Sequence, residues 1–226
     1  MTSAADRGSI RRRFLGVDAS NVADVLDQLG LGDQGLDPGF VPIPAGGGKL
    51  AGWAFTIRGQ MVPYDRDAGD PDKMAACAEL SADSVSVWSG AGEGVCFFGE
   101  LIATGMKERG CAGALVDGGV RDVAWLKDLD FPVFARYRTP VQSIGRWKVT
   151  GWETPVSLPG ATSVRVSVAP GDFILADDDG AIVIPAAVVE QTLDRAEAIG
   201  AKEQEIRADI AAGMSLSDAL AKYGHV

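Results

Sequence analysis

Histidine is almost missing from this chain: the 226 residues contain one, His225, next to the C-terminus. Its scarcity removes Ser-His-Asp and Cys-His nucleophile systems and His-ligated metal centres, which need an imidazole to carry a proton or hold an ion. Chemistry therefore falls to carboxylates, arginine, lysine or the backbone. Cysteine is sparse as well, and Cys77, Cys96 and Cys111 are far apart with no Cys-x-x-Cys spacing. Neither a disulfide framework nor a zinc site is indicated, and buried small apolar residues are the simpler reading. No uninterrupted apolar stretch approaches the ~18 residues that cross a bilayer. The opening MTSAADRGSIRRRF also lacks the apolar segment of a signal peptide. A cytoplasmic protein with no membrane partner is expected. Positive charge is the last shortage: 21 Lys and Arg stand against 31 Asp and Glu, a net charge of −10. Nucleic-acid binding, which depends on cations displacing counterions, is disfavoured. Arg11–Arg13, Arg136-Tyr137-Arg138 and Arg146-Trp147-Lys148 read as solvated faces or ion-pair partners for the excess acid.

Apolar residues make up 46% of the chain and there are 29 glycines, which suits a globular domain with many tight turns or close backbone approaches. One domain with terminal extensions is expected: an N-terminal arm over 1–20, an α/β core over 21–184 and a C-terminal helical extension over 185–226. Asn21 followed by VADVLDQLG suggests an N-cap and a short amphipathic helix. KLAGWAFTIRGQMV has strand character and DKMAACAEL helical character. DSVSVWSG alternates with period two, predicting a half-buried strand at Ser84–Trp88. A helix from Glu100 to Arg109, with Leu101, Ile102, Gly105 and Met106 inward, leads to a strand at Ala112–Val116. A second short helix, DVAWLKDLD, and the strand FPVFARY follow. Strand, helix, strand, helix, strand in so few residues favours parallel βαβ pairing. SVRVSVAPGDFILADDDGAIVIP carries Pro-Gly-Asp and Asp-Asp-Gly turns and reads as a hairpin or small antiparallel unit. From Pro185 a long helix runs to the region of Gly213, and Ser215 or Ser217 opens a short terminal helix.

In an α/β layout, loops at the carboxyl ends of parallel strands collect ligands, and helices starting there aim free N–H groups at them. Two such loops occur. FFGEL starts a helix at Glu100 whose first turn can hold a carboxylate or phosphate. VDGGVRD brings Arg121 and Asp122 to the start of the next helix, with Gly118 and Gly119 expected to make a sharp turn. Adjacent Arg and Asp side chains are expected to point apart and take separate tasks: a planar fork for a carboxylate, and oxygen for a hard cation. The bland alternative is a helix cap at Asp122 and a surface ion pair at Arg121.

GALVDGGVRD with FPVFARYRTP, preceded by FGELIATGMKERG and followed by APGDFILADDDGAIVIP, resembles one known family. It unites the regulator of ribonuclease activity A with the 4-hydroxy-4-methyl-2-oxoglutarate and 4-carboxy-4-hydroxy-2-oxoadipate aldolases. Older labels call some members dimethylmenaquinone methyltransferases. The resemblance implies a swivelling β/β/α domain with a long C-terminal helix, assembled as homotrimers or homohexamers with sites between subunits. It also implies a class II pyruvate aldolase that uses Mg²⁺ or Mn²⁺ on a small 2-oxo acid and also decarboxylates oxaloacetate. By motif position Asp122 matches the metal-binding Asp, and Arg121 matches the Arg that contacts the pyruvyl unit. Gly99, Glu100, Leu101 and Ile102 match the loop that holds the pyruvyl carboxylate, with Glu100 where the aldolases commonly carry Asp. Glu203 best fits a Glu that reaches a neighbouring subunit's site, with Glu205 the second choice. The tail departs from the pattern: Ala212-Gly213-Met214-Ser215-Leu216 stands where the aldolases carry Gly-Glu-Leu-Gly-Leu-Asp.

Cleaving a 4-hydroxy-2-oxo acid between C3 and C4 builds an enolate on the pyruvyl half, which calls for positive charge at its oxygen and carboxylate. Arg121 and a cation at Asp122 answer that need without a lysine Schiff base. A metal-ordered water or a carboxylate must take the C4 hydroxyl proton, and Glu100 is a candidate to orient that water. On the residues alone, Glu100 is equally a first-turn helix acid, and Glu203 and Glu205 are solvated acids of an amphipathic helix. The alternative function is a noncatalytic, protein-binding regulator of ribonuclease activity. Methyl transfer to a quinone finds neither a methyl-donor glycine loop nor a membrane-seeking helix.

Overall fold

The structure, a computed structural model, describes residues 4–90 and 92–224. His225, and Ala91 in the GAGEG loop, lie outside the described residues. The chain opens with helices α1 (Ala4–Phe14) and α2 (Ala19–Gln28), the short strand β1 (Val41–Pro42) and the long strand β2 (Leu50–Met61). Next come α3 (Pro71–Glu79), β3 (Ser84–Ser89), β4 (Cys96–Phe98), α4 (Glu100–Lys107), β5 (Gly113–Val120), α5 (Val123–Leu129) and β6 (Val133–Arg138). Strands β7 (Trp147–Trp152), β8 (Val156–Pro159), β9 (Arg165–Val168), β10 (Phe173–Asp177) and β11 (Gly180–Ile184) follow, then the long helix α6 (Val189–Ala211) and the short α7 (Leu216–Tyr223).

Nine strands form one sheet along the path β1-β6-β5-β3-β2-β10-β11, with β4 added to β5 and β7 to β2. Strands β2, β3, β5 and β6 are mutually parallel, as the alternating strand and helix pattern requires. The chain steps along them in one direction, and crossovers of one hand then leave α3, α4 and α5 on one face. β10 and β11 form the expected hairpin and add antiparallel to β2. β9 does not join them: it pairs with β8 as a separate two-stranded unit.

Side-chain alternation sorts the core into layers. Phe55, Ile57, Trp88, Ala114 and Val116 face α3, α4 and α5, where Ala76, Ala103, Met106 and Leu126 meet them. Ala51, Trp53, Phe173, Leu175 and Ile182 pack on α1, α2 and α6. The intervening residues Leu50, Ala54, Val85, Val87, Leu115 and Ile174 face the other way and are covered by Val156, Leu158, Val166 and Val168 of β8 and β9. The result is hairpin, sheet and helices, a β/β/α stack. Each fully buried large side chain, such as Trp88, Phe97, Phe98 or Trp147, contributes roughly 1.5–3 kcal/mol relative to exposure.

Four local expectations are corrected by this layering. β3 is buried along its whole length, because Val85 and Val87 enter one core while Ser84, Ser86 and Trp88 enter the other. Its alternation separates two buried faces. Gly118 and Gly119 lie within β5 instead of forming a turn, and what they supply is space. A Cβ at Gly118 would stand 2.3 Å from the Phe97 ring, and one at Gly119 would stand 2.5 Å from Tyr137 and 2.6 Å from the Val95 carbonyl. On α4, Ala103 and Met106 face inward while Leu101 is 80% exposed and Gly105 is open. Helix α2 starts earlier than expected, so Asn21 lies inside it and is buried, and Asp18 holds the cap position. In the third basic cluster Trp147 is buried, while the Arg146 guanidinium lies 4.3 Å from the centroid of the exposed Tyr64 ring. The first supplies ion pairs, Arg11 with Asp83 at 3.4 Å and Arg13 with Glu197 at 2.5 Å. No helix among the described residues is long and apolar enough to cross a membrane.

Candidate active site

Strands β4 and β5 run parallel and end side by side, which brings the start of α4 against the start of α5. Gly99 precedes α4 in an extended conformation, φ −156°. The first intrahelical bond is Ala103 N–H to the Gly99 carbonyl, at 3.1 Å. Amides before that bond have no helical partner. Glu100 N–H donates to Asp122 Oδ2 at 3.3 Å, and the Leu101 and Ile102 amides remain available for an anion at the positive end of the helix.

Asp122 sits at the N-cap of α5 with φ 59° and makes no side-chain cap bond. The left-handed conformation is uncommon for a residue with a Cβ, and Asp is among the few that tolerate it. It turns the carboxylate away from its own helix and towards the α4 amides. The same turn brings it to Arg121, whose Nε lies 3.4 Å from Asp122 Oδ2. The two side chains therefore converge, contrary to the expectation that neighbours in sequence point apart. Arg121 N–H is tied to the Phe98 carbonyl at 3.1 Å, fixing the backbone beneath the guanidinium. With side-chain exposures of 42% and 37%, both remain open to a ligand.

Gly99, Leu101, Ile102, Arg121 and Asp122 line one cavity of about 280 Å³. Arg121 and Asp122 also border a second, more open recess with Arg138 and Thr139. Thus five of the expected site residues share one wall. Glu100 contributes its backbone: its carboxylate accepts from Thr104 Oγ1 at 3.0 Å, one turn along its own helix. Glu203 is elsewhere in this chain, paired with Arg207 at 2.8 Å and lining a different cavity with Asp24, Gln28 and Ile206. Glu205 is exposed.

The cavity also contains Asp70, Lys73 and Ser143, which sequence reasoning passed over. Lys73 is 4% exposed and donates to Ser143 Oγ at 2.8 Å, with Asp70 Oδ2 at 3.3 Å. Burial pushes the Lys73 ammonium below the usual lysine range, and the Asp70 charge opposes that shift. A signal was present: Lys73, Ala76, Cys77 and Leu80 form an i, i+3, i+4, i+7 stripe, which places a charge on the inward face of α3. Burial also raises the cysteines, Cys77 to about 12, so none is a reactive thiolate at neutral pH.

The fold defines the class first: a swivelling β/β/α domain with a long C-terminal helix. The chain belongs to the RraA-like family, aldolase/RraA, which matches residues 19–183. It is 26% identical over 219 residues to protein DlpA of Legionella pneumophila, covering 95% of this chain and 34% of DlpA. It is 34% identical over 99 residues to a putative 4-hydroxy-4-methyl-2-oxoglutarate aldolase of Halalkalibacterium halodurans, 44% of each chain. The match thus spans less than half the length of either relative. Among solved structures it is similar to Streptomyces coelicolor RraAS2, described as an unusual member of the RNase ES inhibitor RraA protein family. The TM-score is 0.76 with 25% identity, covering 89% of this chain and 98% of that one.

Proposed function

We propose that the protein is a divalent-metal-dependent lyase that cleaves a 4-hydroxy-2-oxo acid to pyruvate and a carbonyl product, with oxaloacetate decarboxylation as a companion activity. The observation that carries this reading is the convergence of Arg121, Asp122 and the Leu101 and Ile102 amides on one cavity. The naming of a relative as an aldolase of this type supports the same reading.

Two helix-terminal amides suit the carboxylate of the pyruvyl half, and Arg121 suits the oxygen that gains charge as C3–C4 breaks. A guanidinium held beside that oxygen would need no reorganisation during the step. Glu100 N–H holds the Asp122 carboxylate in position, and its own carboxylate stays on Thr104. No group of three or more His, Cys, Asp or Glu among the described residues could hold a metal ion. A lone carboxylate fits Mg²⁺ or Mn²⁺, which keep most of their waters, and does not fit zinc, which takes three or four protein ligands. When bound at Asp122, such an ion supplies further positive charge for the enolate.

The chain is proposed to act as a homo-oligomer, trimer or hexamer, in which Glu203 approaches a neighbouring subunit's cavity. The test is pyruvate release from 4-hydroxy-4-methyl-2-oxoglutarate and from oxaloacetate with Mg²⁺ or Mn²⁺, with and without chelator, in wild type and Asp122→Ala. Activity that is lost with chelator and in Asp122→Ala supports the reading; equal activity in every arm rejects the metal role. No turnover, together with capture of a ribonuclease that survives Asp122→Ala, would favour the regulator reading instead, which rests on the likeness to the RNase ES inhibitor family.

A further inference from the structure

The Arg136-Tyr137-Arg138 cluster divides on folding. Arg136 lies 3.5 Å from Asp37 and 3.9 Å from Asp117, which makes it a structural ion-pair partner. Arg138 is exposed, and its side chain makes no hydrogen bond, ion pair or ring contact among the described residues. Its neighbours on the chain are pinned all the same. Tyr137 Oη donates to the Gly92 carbonyl at 2.7 Å, Thr139 Oγ1 donates to the Gly94 carbonyl at 3.2 Å, and Thr139 N–H donates to the Val120 carbonyl at 3.0 Å. A guanidinium on a fixed strand end, with its donors unused, is available to a ligand.

Parallel pairing of β5 with β6 sets Arg138 beside Val120, the residue before Arg121. Both arginines therefore stand at the carboxyl ends of neighbouring strands, where α/β sheets collect ligands. They border one recess of about 420 Å³, and Asp122 is the one acid among its described lining residues. In a chain of net charge −10, two guanidiniums against one carboxylate make a local excess of positive charge that favours an anion.

Arg121 and Asp122 line both this recess and the cavity, so a ligand held by them can extend into either. The groups bordering each decide which. In the cavity Met74, Phe97, Phe98 and Ile144 are apolar, and Lys73, the cation there besides Arg121, is already engaged with Ser143 and Asp70. A second carboxylate on that side would lose water without gaining a partner. In the recess Arg138 offers one.

We propose that Arg138 is a specificity-determining residue that selects the substrate by its far end. Resting on the lyase reading above, it binds a carboxylate carried on C4 of the 4-hydroxy-2-oxo acid, while Arg121 and the α4 amides hold the pyruvyl half. Its planar fork can donate to both carboxylate oxygens at once. A substrate with an uncharged C4 arm leaves Arg138 unpaired and gains nothing from the recess. Arg138 takes no part in breaking the C3–C4 bond, and its contribution is to binding.

The test is calorimetric titration, with Mg²⁺ present, of 2-oxoglutarate and 2-oxopentanoate into wild type, Arg138→Gln and Arg138→Lys. The two ligands share the 2-oxo acid end and the chain length, and differ in a terminal carboxylate against a methyl group. Neither carries the C4 hydroxyl that cleavage requires, so binding is read without turnover. A hydrogen bond to a charged group is strong enough that wild type is expected to bind 2-oxoglutarate about 10-fold more tightly than 2-oxopentanoate. Arg138→Gln is expected to bring that ratio close to one, and Arg138→Lys to keep part of it. A wild type without the preference, a preference that survives Arg138→Gln, or equal weakening of both ligands overturns the assignment while leaving the Arg121 site standing. A wild type that binds neither ligand rejects the pyruvyl site on which the lyase reading rests, and this inference with it.

Discussion

Gly99 and Asp122 occupy one another's space: a Cβ on residue 99 would stand 2.6 Å from Asp122 Oδ2 and 3.3 Å from Arg121 Cγ. The Gly99 backbone is extended and open to any residue, so the glycine is needed for room alone. Gly99→Ala is expected to push the carboxylate off the Glu100 amide and misplace Arg121. A displacement near 1 Å at a reacting centre costs on the order of 10²-fold. Pyruvate release should fall by that amount while the melting temperature stays close to wild type, because the pair lies at a partly exposed cavity wall. Unchanged kinetics would show that the Asp122 position is immaterial.

A second glycine tests the packing beneath the site. Gly118→Ala drives a methyl group to 2.3 Å from the Phe97 ring, itself stacked on Trp147 at a centroid distance of 4.2 Å. Overpacking of this kind costs about 1–3 kcal/mol. The control is Gly105→Ala, where no atom lies within 4 Å of the added Cβ; in a helix that exchange gains roughly 0.5–1 kcal/mol. Urea midpoints should move in opposite directions. Two shifts of the same sign would contradict the assigned environments.

Lys73 gives a pH signature. Its native pKa lies below the ordinary lysine value of about 10.4. Between those two values the unfolded chain binds more protons than the native one, so this residue makes stability rise with pH across that window. Cys77, raised to about 12 by burial, works the other way once the unfolded thiol ionises. Subtracting the pH profile of Lys73→Met from that of wild type isolates the lysine. Denaturant unfolding from pH 7 to 10 should show a positive difference in slope, and a zero or negative difference would mean that Lys73 is not desolvated.

The strands and helices were largely legible because their periodicities are strong: KLAGWAFTIRGQ became β2, and FILAD with GAIVI became the β10–β11 hairpin. Arg121 and Asp122 were legible for a local reason, standing contiguously where a strand meets a helix. What the residues could not convey was space. Gly118 and Gly119 looked like turn glycines, and only the Phe97 and Tyr137 rings explain them. Nor does the order of residues disclose that Asp122 is left-handed and therefore returns to Arg121. Lys73 and Ser143, 70 residues apart, meet only through the fold. The inward position of Lys73 on its helix was the available clue, and its partners were not.

The sheet has two faces with different obligations. Phe97 and Phe98 belong to the core beneath α3, α4 and α5, and they also line the cavity with Arg121 and Asp122. The core under β8 and β9 supplies none of the cavity's lining residues. One hydrophobic interior is therefore shared between folding and chemistry, whereas the other serves folding alone. Robustness can be adjusted in the second layer by repacking Val156, Leu158, Val166 and Val168 while the chemical face is left untouched.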